Sequence, residues 1–115
     1  MARPDALYLQ DILEAADHIS DFIRGMDEAA FRASELHRSA VLQKLLVIGE
    51  AAVRISEEVK ALRPSIPWKE IIGFRNIAVH TYFSVDWSIV WETARREVSG
   101  LAKDVQQLAE ELKDA

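Results

Sequence analysis

The sequence predicts an all-α fold, and three observations carry that prediction. Apolar residues recur every three or four positions along nearly the whole chain, which is the period of a helix and not of a strand. Only 4 glycines and 3 prolines punctuate 115 residues. Half of the residues are hydrophobic and 29% are charged, a mixture that folds around a core and does not stay disordered. The length suits one domain, residues 1–115. A domain this small buries only about two-thirds of its unfolded surface, so pairing with a second copy is a natural way to bury more.

The first helix is marked by Leu9, Ile12, Ala16, Ile19 and Ile23, spaced 3, 4, 3 and 4, with Gly25 placed to close it. Asp27 then offers an N-cap to a short turn carrying Phe31. A long third helix is predicted from near Ser34, with Val41, Leu45, Ile48, Ala52, Ile55, Val59 and Leu62 in register until Pro64 ends it. Gly49 inside it costs about 1 kcal/mol of helix propensity relative to Ala, so its place is read as a close approach of another backbone. Pro67 suits the first position of a shorter helix that runs through Ile71, Ile72, Phe74 and Ile77 to about His80. After the interruption at Thr81-Tyr82-Phe83-Ser84, either Ser84 or Asp86 is placed to cap the last helix. Its seam is Trp91, Ala94, Val98, Leu101, Val105, Leu108 and Leu112, able to pack within the protomer or on a second copy. The expected architecture is an antiparallel bundle of four main helices plus a short extra one.

The charge balance is acidic, 14 basic against 19 acidic residues for a net −5, so no global positive field gathers nucleic acid or anionic lipid. Any contact with RNA must come from a local patch. The absence of cysteine removes disulfides, thiolate zinc sites and cysteine nucleophiles together. No apolar run approaches the roughly 18 residues that span a bilayer, and the N-terminus lacks a signal-peptide core, so no membrane contact and a cytoplasmic location are expected.

Most polar residues need no functional account. Glu50 and Arg54 are spaced as a helical ion pair at the bundle rim, worth a few tenths of a kcal/mol. His18 and His37 lack partners at metal-ligand spacing. The exception is Gly73-Phe74-Arg75-Asn76-Ile77-Ala78-Val79-His80-Thr81-Tyr82, where Arg75, Asn76, His80 and Tyr82 interrupt an apolar stretch. Buried Arg and His side chains cost free energy unless paired, so such a stretch holds either a structural Arg–Asn–His network or a site. On an ideal helix Asn76 and His80 share a face, but Arg75 and His80 point about 140° apart. Either the helix unwinds at His80, or a two-fold partner brings its own motif across a shared cleft; the second arrangement is favoured.

The string Arg75-Asn76, three residues, His80, one residue, Tyr82 resembles the R-N-x-x-x-H-x-Y motif of the HepT-like toxins, a branch of the HEPN superfamily. Ile48-Gly49-Glu50-Ala51-Ala52, Ile66-Pro67-Trp68-Lys69-Glu70-Ile71 and Tyr82-Phe83-Ser84-Val85-Asp86 resemble signature segments of the same family in the same order, and the likeness runs from Leu9 to Leu112. The resemblance implies an all-helical, dimeric endoribonuclease that needs no metal or other cofactor and serves as the toxin of a toxin–antitoxin pair. Its implied antitoxin is a small nucleotidyltransferase of the MntA type, which transfers AMP from ATP to the motif tyrosine, here Tyr82, and silences the nuclease. The chemistry suits the residues on its own terms. RNA supplies its own nucleophile, the 2′-OH, so cleavage requires proton transfer and stabilisation of phosphoryl charge. His80 can act as general base or acid, Arg75 can fork onto phosphate oxygens, and Asn76 can orient the imidazole or donate to phosphate. Two other readings of the same residues are a non-catalytic HEPN subunit serving as partner and substrate of a nucleotidyltransferase, and a helical dimerisation domain.

Overall fold

The computed structural model of the chain describes residues 3–76 and 86–114. All regular secondary structure among these residues is helical. Helix α1 (Asp5–Phe22) buries Leu9, Ile12, Ala16 and Ile19 of the predicted stripe together with Ala15, while Ile23 is its C-cap and only partly buried, and the chain turns at Gly25, whose φ of 76° lies in the left-handed region that glycine enters without strain. Asp27 caps α2 (Glu28–Ala33) by accepting a hydrogen bond from the Ala30 amide at 2.8 Å. Ser34 caps α3 (Glu35–Arg54), accepting from the His37 amide at 3.2 Å, and its hydroxyl also meets His37 Nδ1 at 2.6 Å.

The long third helix expected to run to Leu62 is broken. Ile55 is extended (φ −71°, ψ 137°), and a separate α4 (Glu57–Leu62) starts from Ser56. Ser56 Oγ accepts from the Val59 amide, while Asp5 at the start of α1 accepts from both the Ser56 amide at 3.0 Å and its hydroxyl at 2.8 Å. A cap satisfied from two sides outcompetes one more turn of helix. The break also shifts the helical phase downstream. Leu62, expected in the core, is 53% exposed, and Lys60 turns inward instead with its ammonium 3.5 Å from Glu57. Trp68 closes this corner, its indole N–H shared between the Lys60 and Arg63 carbonyls.

Pro67 sits at the N-cap of α5 (Trp68–Ile72), one position earlier than expected, and residues 74–76 are helical again after Gly73. The expected continuation through Ile77 to His80 lies outside the described residues, as does Ser84. Asp86 is the cap of α6 (Trp87–Glu92), accepting from the Ser88 and Ile89 amides. The last helix is one rod with a widened turn: α6 passes into a π-helical segment (Thr93–Glu97) and then into α7 (Val98–Asp114). Thr93 Oγ1 donates to the Ile89 carbonyl at 2.9 Å beside that turn.

The seam of the last helix packs within the protomer. Trp91, Ala94, Val98, Leu101, Val105 and Leu108 are buried in the same core as the α1 and α3 stripes, with Leu112 packed at its edge. Neighbours along α1 fix the directions: Ala6 and Leu7 lie beside Leu112 and Lys113 of α7, while Tyr8 and Asp11 lie beside residues 46–54 of α3, so α1 is antiparallel to both. Phe31 of α2 plugs one end of the bundle, its ring 5.4 Å from Trp91 and 6.2 Å from Trp87. No helix of the described residues is long and apolar enough to cross a membrane.

Candidate active site

The site begins with a missing side chain. A Cβ built on Gly49 would stand 2.8 Å from the Arg75 backbone nitrogen and 2.9 Å from Arg75 Cγ, closer than real packing tolerates. Gly49 is thus the approach point the sequence implied, and what approaches is the first residue of the polar motif. With the two backbones in contact, the next residue of α3 reaches the motif directly: Glu50 Oε1 forms an ion pair with Arg75, 2.9 Å from its Nε. The other carboxylate oxygen, Oε2, accepts from Arg54 Nη1, also at 2.9 Å.

Glu50 is the residue that sequence reasoning misses. Helical spacing assigns it only to Arg54, four residues on in the same helix, and that pair does form. A carboxylate has two oxygens and room for several donors, however, and the second is taken by a side chain from another element. The adjacent Gly49 is the signal from which the contact is legible, because only a close approach brings residue 75 within reach of residue 50.

Arg75 is held at one edge but not enclosed, with 42% of its side chain exposed. An arginine fixed through Nε keeps its two terminal nitrogens for another anion, and a guanidinium fork matches phosphate oxygens. Phe74, just before it, is buried and anchors the turn, whereas Asn76, just after it, is exposed, with its amide donating to the Gly73 carbonyl at 3.0 Å. Of the four motif residues, Arg75 and Asn76 are therefore placed at a solvent-open edge, and His80 and Tyr82 lie outside the described residues. Among the described residues no group of three or more His, Asp or Glu side chains is arranged to hold a metal ion. His18 is exposed and stacks on Phe22, and His37 belongs to the α3 cap, so neither joins the site.

An all-helical bundle that buries one glycine to present an arginine–asparagine pair defines a class, and sequence comparison assigns it. The family model described as "Ribonuclease HepT-like" matches residues 12–108, nearly the whole chain, and the chain belongs to that family. It is 35% identical over 99 residues to the Methanocaldococcus jannaschii protein named "Putative RNase MJ1380", covering 86% of this chain and 91% of that protein. Over 107 residues it is 36% identical to "Putative RNase MJ0125" of the same organism, covering 93% and 92% of the two chains. With "Probable ribonuclease HepT" of Thermococcus cleftensis it shares 34% identity over 108 residues, 94% of this chain and 98% of that one. No solved structure matches the chain significantly.

Proposed function

We propose that the protein is a metal-independent endoribonuclease toxin that works as a homodimer, with Arg75 and His80 as catalytic residues, Asn76 as an auxiliary and Tyr82 as the site of its silencing. The observation that carries this reading is Arg75: a solvent-reachable guanidinium, pinned through Nε by Glu50, at the start of the motif of a ribonuclease family. In the reaction, a base removes the proton of the 2′-OH, the 2′-oxygen attacks the adjacent phosphorus, and the bond to the 5′-oxygen breaks as that oxygen receives a proton. The products are a 2′,3′-cyclic phosphate and a 5′-OH. His80 is the proton-transfer group, and Arg75 balances the charge that accumulates on the phosphoryl oxygens. Asn76, four residues before His80 in the sequence, orients the imidazole or donates to phosphate. Pairing two copies supplies the second imidazole and closes the cleft.

Silencing is assigned to a nucleotidyltransferase antitoxin of the MntA type. Tyr82 Oη attacks the α-phosphorus of ATP, pyrophosphate leaves, and the phenolic proton passes to solvent. The resulting phosphodiester is anionic and sits two residues from His80, where it competes with RNA for Arg75.

Incubation of the purified protein with RNA in the presence of a chelator tests the nuclease. Cleavage that falls by at least about a hundredfold in both Arg75→Ala and His80→Ala is expected; cleavage unchanged in both overturns the catalytic assignment. Intact mass after incubation with the nucleotidyltransferase and ATP tests the silencing, with added AMP expected on the wild type and absent from Tyr82→Phe. Modification without RNA cleavage under any condition would instead identify a non-catalytic substrate subunit.

A further inference from the structure

The Glu50 carboxylate serves two arginines from different helical elements. Its contacts to Arg75 Nε and Arg54 Nη1 are each 2.9 Å, so one carboxylate bridges the two guanidiniums, with the contacting nitrogens no more than about 8 Å apart. One negative charge cannot neutralise both. Around them, Arg3 pairs with Asp11 and lies over the Tyr8 ring, and the Asp5 carboxylate is taken up by Ser56 just past Arg54, so each of these two acids already has a partner of its own. Both guanidiniums remain open to solvent, with side-chain exposures of 54% for Arg54 and 42% for Arg75. Glu50 and Arg54 also line a groove of about 340 Å³ between α1 and α3, shared with Tyr8, Leu46 and Val47. That volume falls within the range of small-ligand pockets, so it has room for one nucleotide unit.

We propose that Arg54 is a second phosphate-binding side chain, taking the phosphodiester next to the one held by Arg75 in a single strand of RNA. The inference rests on the ribonuclease reading of Arg75 and extends it by one nucleotide. Consecutive phosphates of a single strand lie several ångströms apart, within the limit that the shared carboxylate sets on the contacting nitrogens of the two guanidiniums. An exposed pair four residues apart in one helix contributes only a few tenths of a kcal/mol, which accounts for Arg54 as helix decoration but not for a carboxylate shared with a second element. Glu50 acts as a spacer: without RNA it holds the two like charges at a fixed separation, and each guanidinium keeps free N–H donors for an incoming phosphate.

The test is the salt dependence of binding to a fluorescein-labelled single-stranded RNA, measured by anisotropy on the full chain carrying His80→Ala so that the RNA is not consumed. Added Arg54→Gln is expected to weaken binding roughly tenfold and to reduce the slope of log affinity against log salt by about 0.7, the signature of one phosphate on a single strand. Arg54→Lys keeps the charge and restores the slope. Arg24→Gln removes a still more exposed charge, just past the far end of α1, and leaves both quantities unchanged. With His80 intact, the loss in Arg54→Gln falls on KM and not on kcat. A slope indifferent to Arg54, a lysine that fails to restore it, or an equal effect from Arg24→Gln overturns the proposal. Cleavage that depends on Arg75 with binding indifferent to Arg54 removes the subsite and leaves the nuclease. Binding through Arg54 without cleavage does the reverse, and a wild type that binds no RNA removes both.

Discussion

Arg75 and Glu50 form a half-exposed ion pair, and such pairs contribute between nothing and about 1 kcal/mol to stability. Their importance lies in direction. A guanidinium paired through Nε is biased toward one orientation before a phosphate arrives, and in catalysis a misplacement of about 1 Å can cost a hundredfold in rate. Glu50→Gln keeps the size of the side chain but removes its charge. It is expected to lower kcat about ten- to hundredfold with KM unchanged or reduced, because the same change leaves two arginines unopposed and strengthens the pull on RNA. Steady-state kinetics on a short RNA checks this, and a raised KM at constant kcat would contradict it. The motif itself is legible residue by residue in the sequence, since Arg75 and Asn76 interrupt an apolar stretch. The partner is not, because Arg54 in the same helix already satisfies the obvious spacing rule.

The elements show how far periodicity alone reaches. The stripes of α1 and α3 and the seam of the last helix are the core, as the spacing of three and four predicts, because burial of those faces is the main driving force for folding. The same periodicity conceals the break at Ile55 and Ser56, since Ile55, Val59 and Leu62 continue the apolar rhythm across it. The competing signal is Ser56-Glu57-Glu58, a cap residue followed by two acids in a first turn, and Asp5 from α1 completes it. Glycine carries opposite meanings in two of these helices. At Gly49 a methyl group meets the Arg75 backbone, so Gly49→Ala is expected to destabilise by about 1–3 kcal/mol and to depress cleavage more than the stability loss explains. At Gly100 nothing lies within 4 Å of a built Cβ, so Gly100→Ala is expected to stabilise by about 0.5–1 kcal/mol through helix propensity alone. Urea denaturation of the two variants side by side measures both signs.

At the level of the whole molecule, the seam of the last helix is already covered within one protomer, so it is not available as an interface for the proposed dimer. If two copies share the catalytic cleft, specific activity should fall as the protein is diluted through its dimer dissociation constant, in step with sedimentation velocity. Activity per mole that stays constant while the sedimenting species becomes monomeric would remove the shared cleft. The π-helical turn at Thr93–Glu97 takes up one residue more than a regular helix holds over the same rotation. Each residue of an α-helix turns the rod by about 100°, so deleting one residue from the regular stretch between Val98 and Leu108 would swing Trp87 and Trp91 to a different side of the axis, away from Phe31. Deleting one residue within Thr93–Glu97 lets the wide turn close to a regular one and leaves both rings on Phe31. A single-codon loss is therefore absorbed at one place along the rod and at few others.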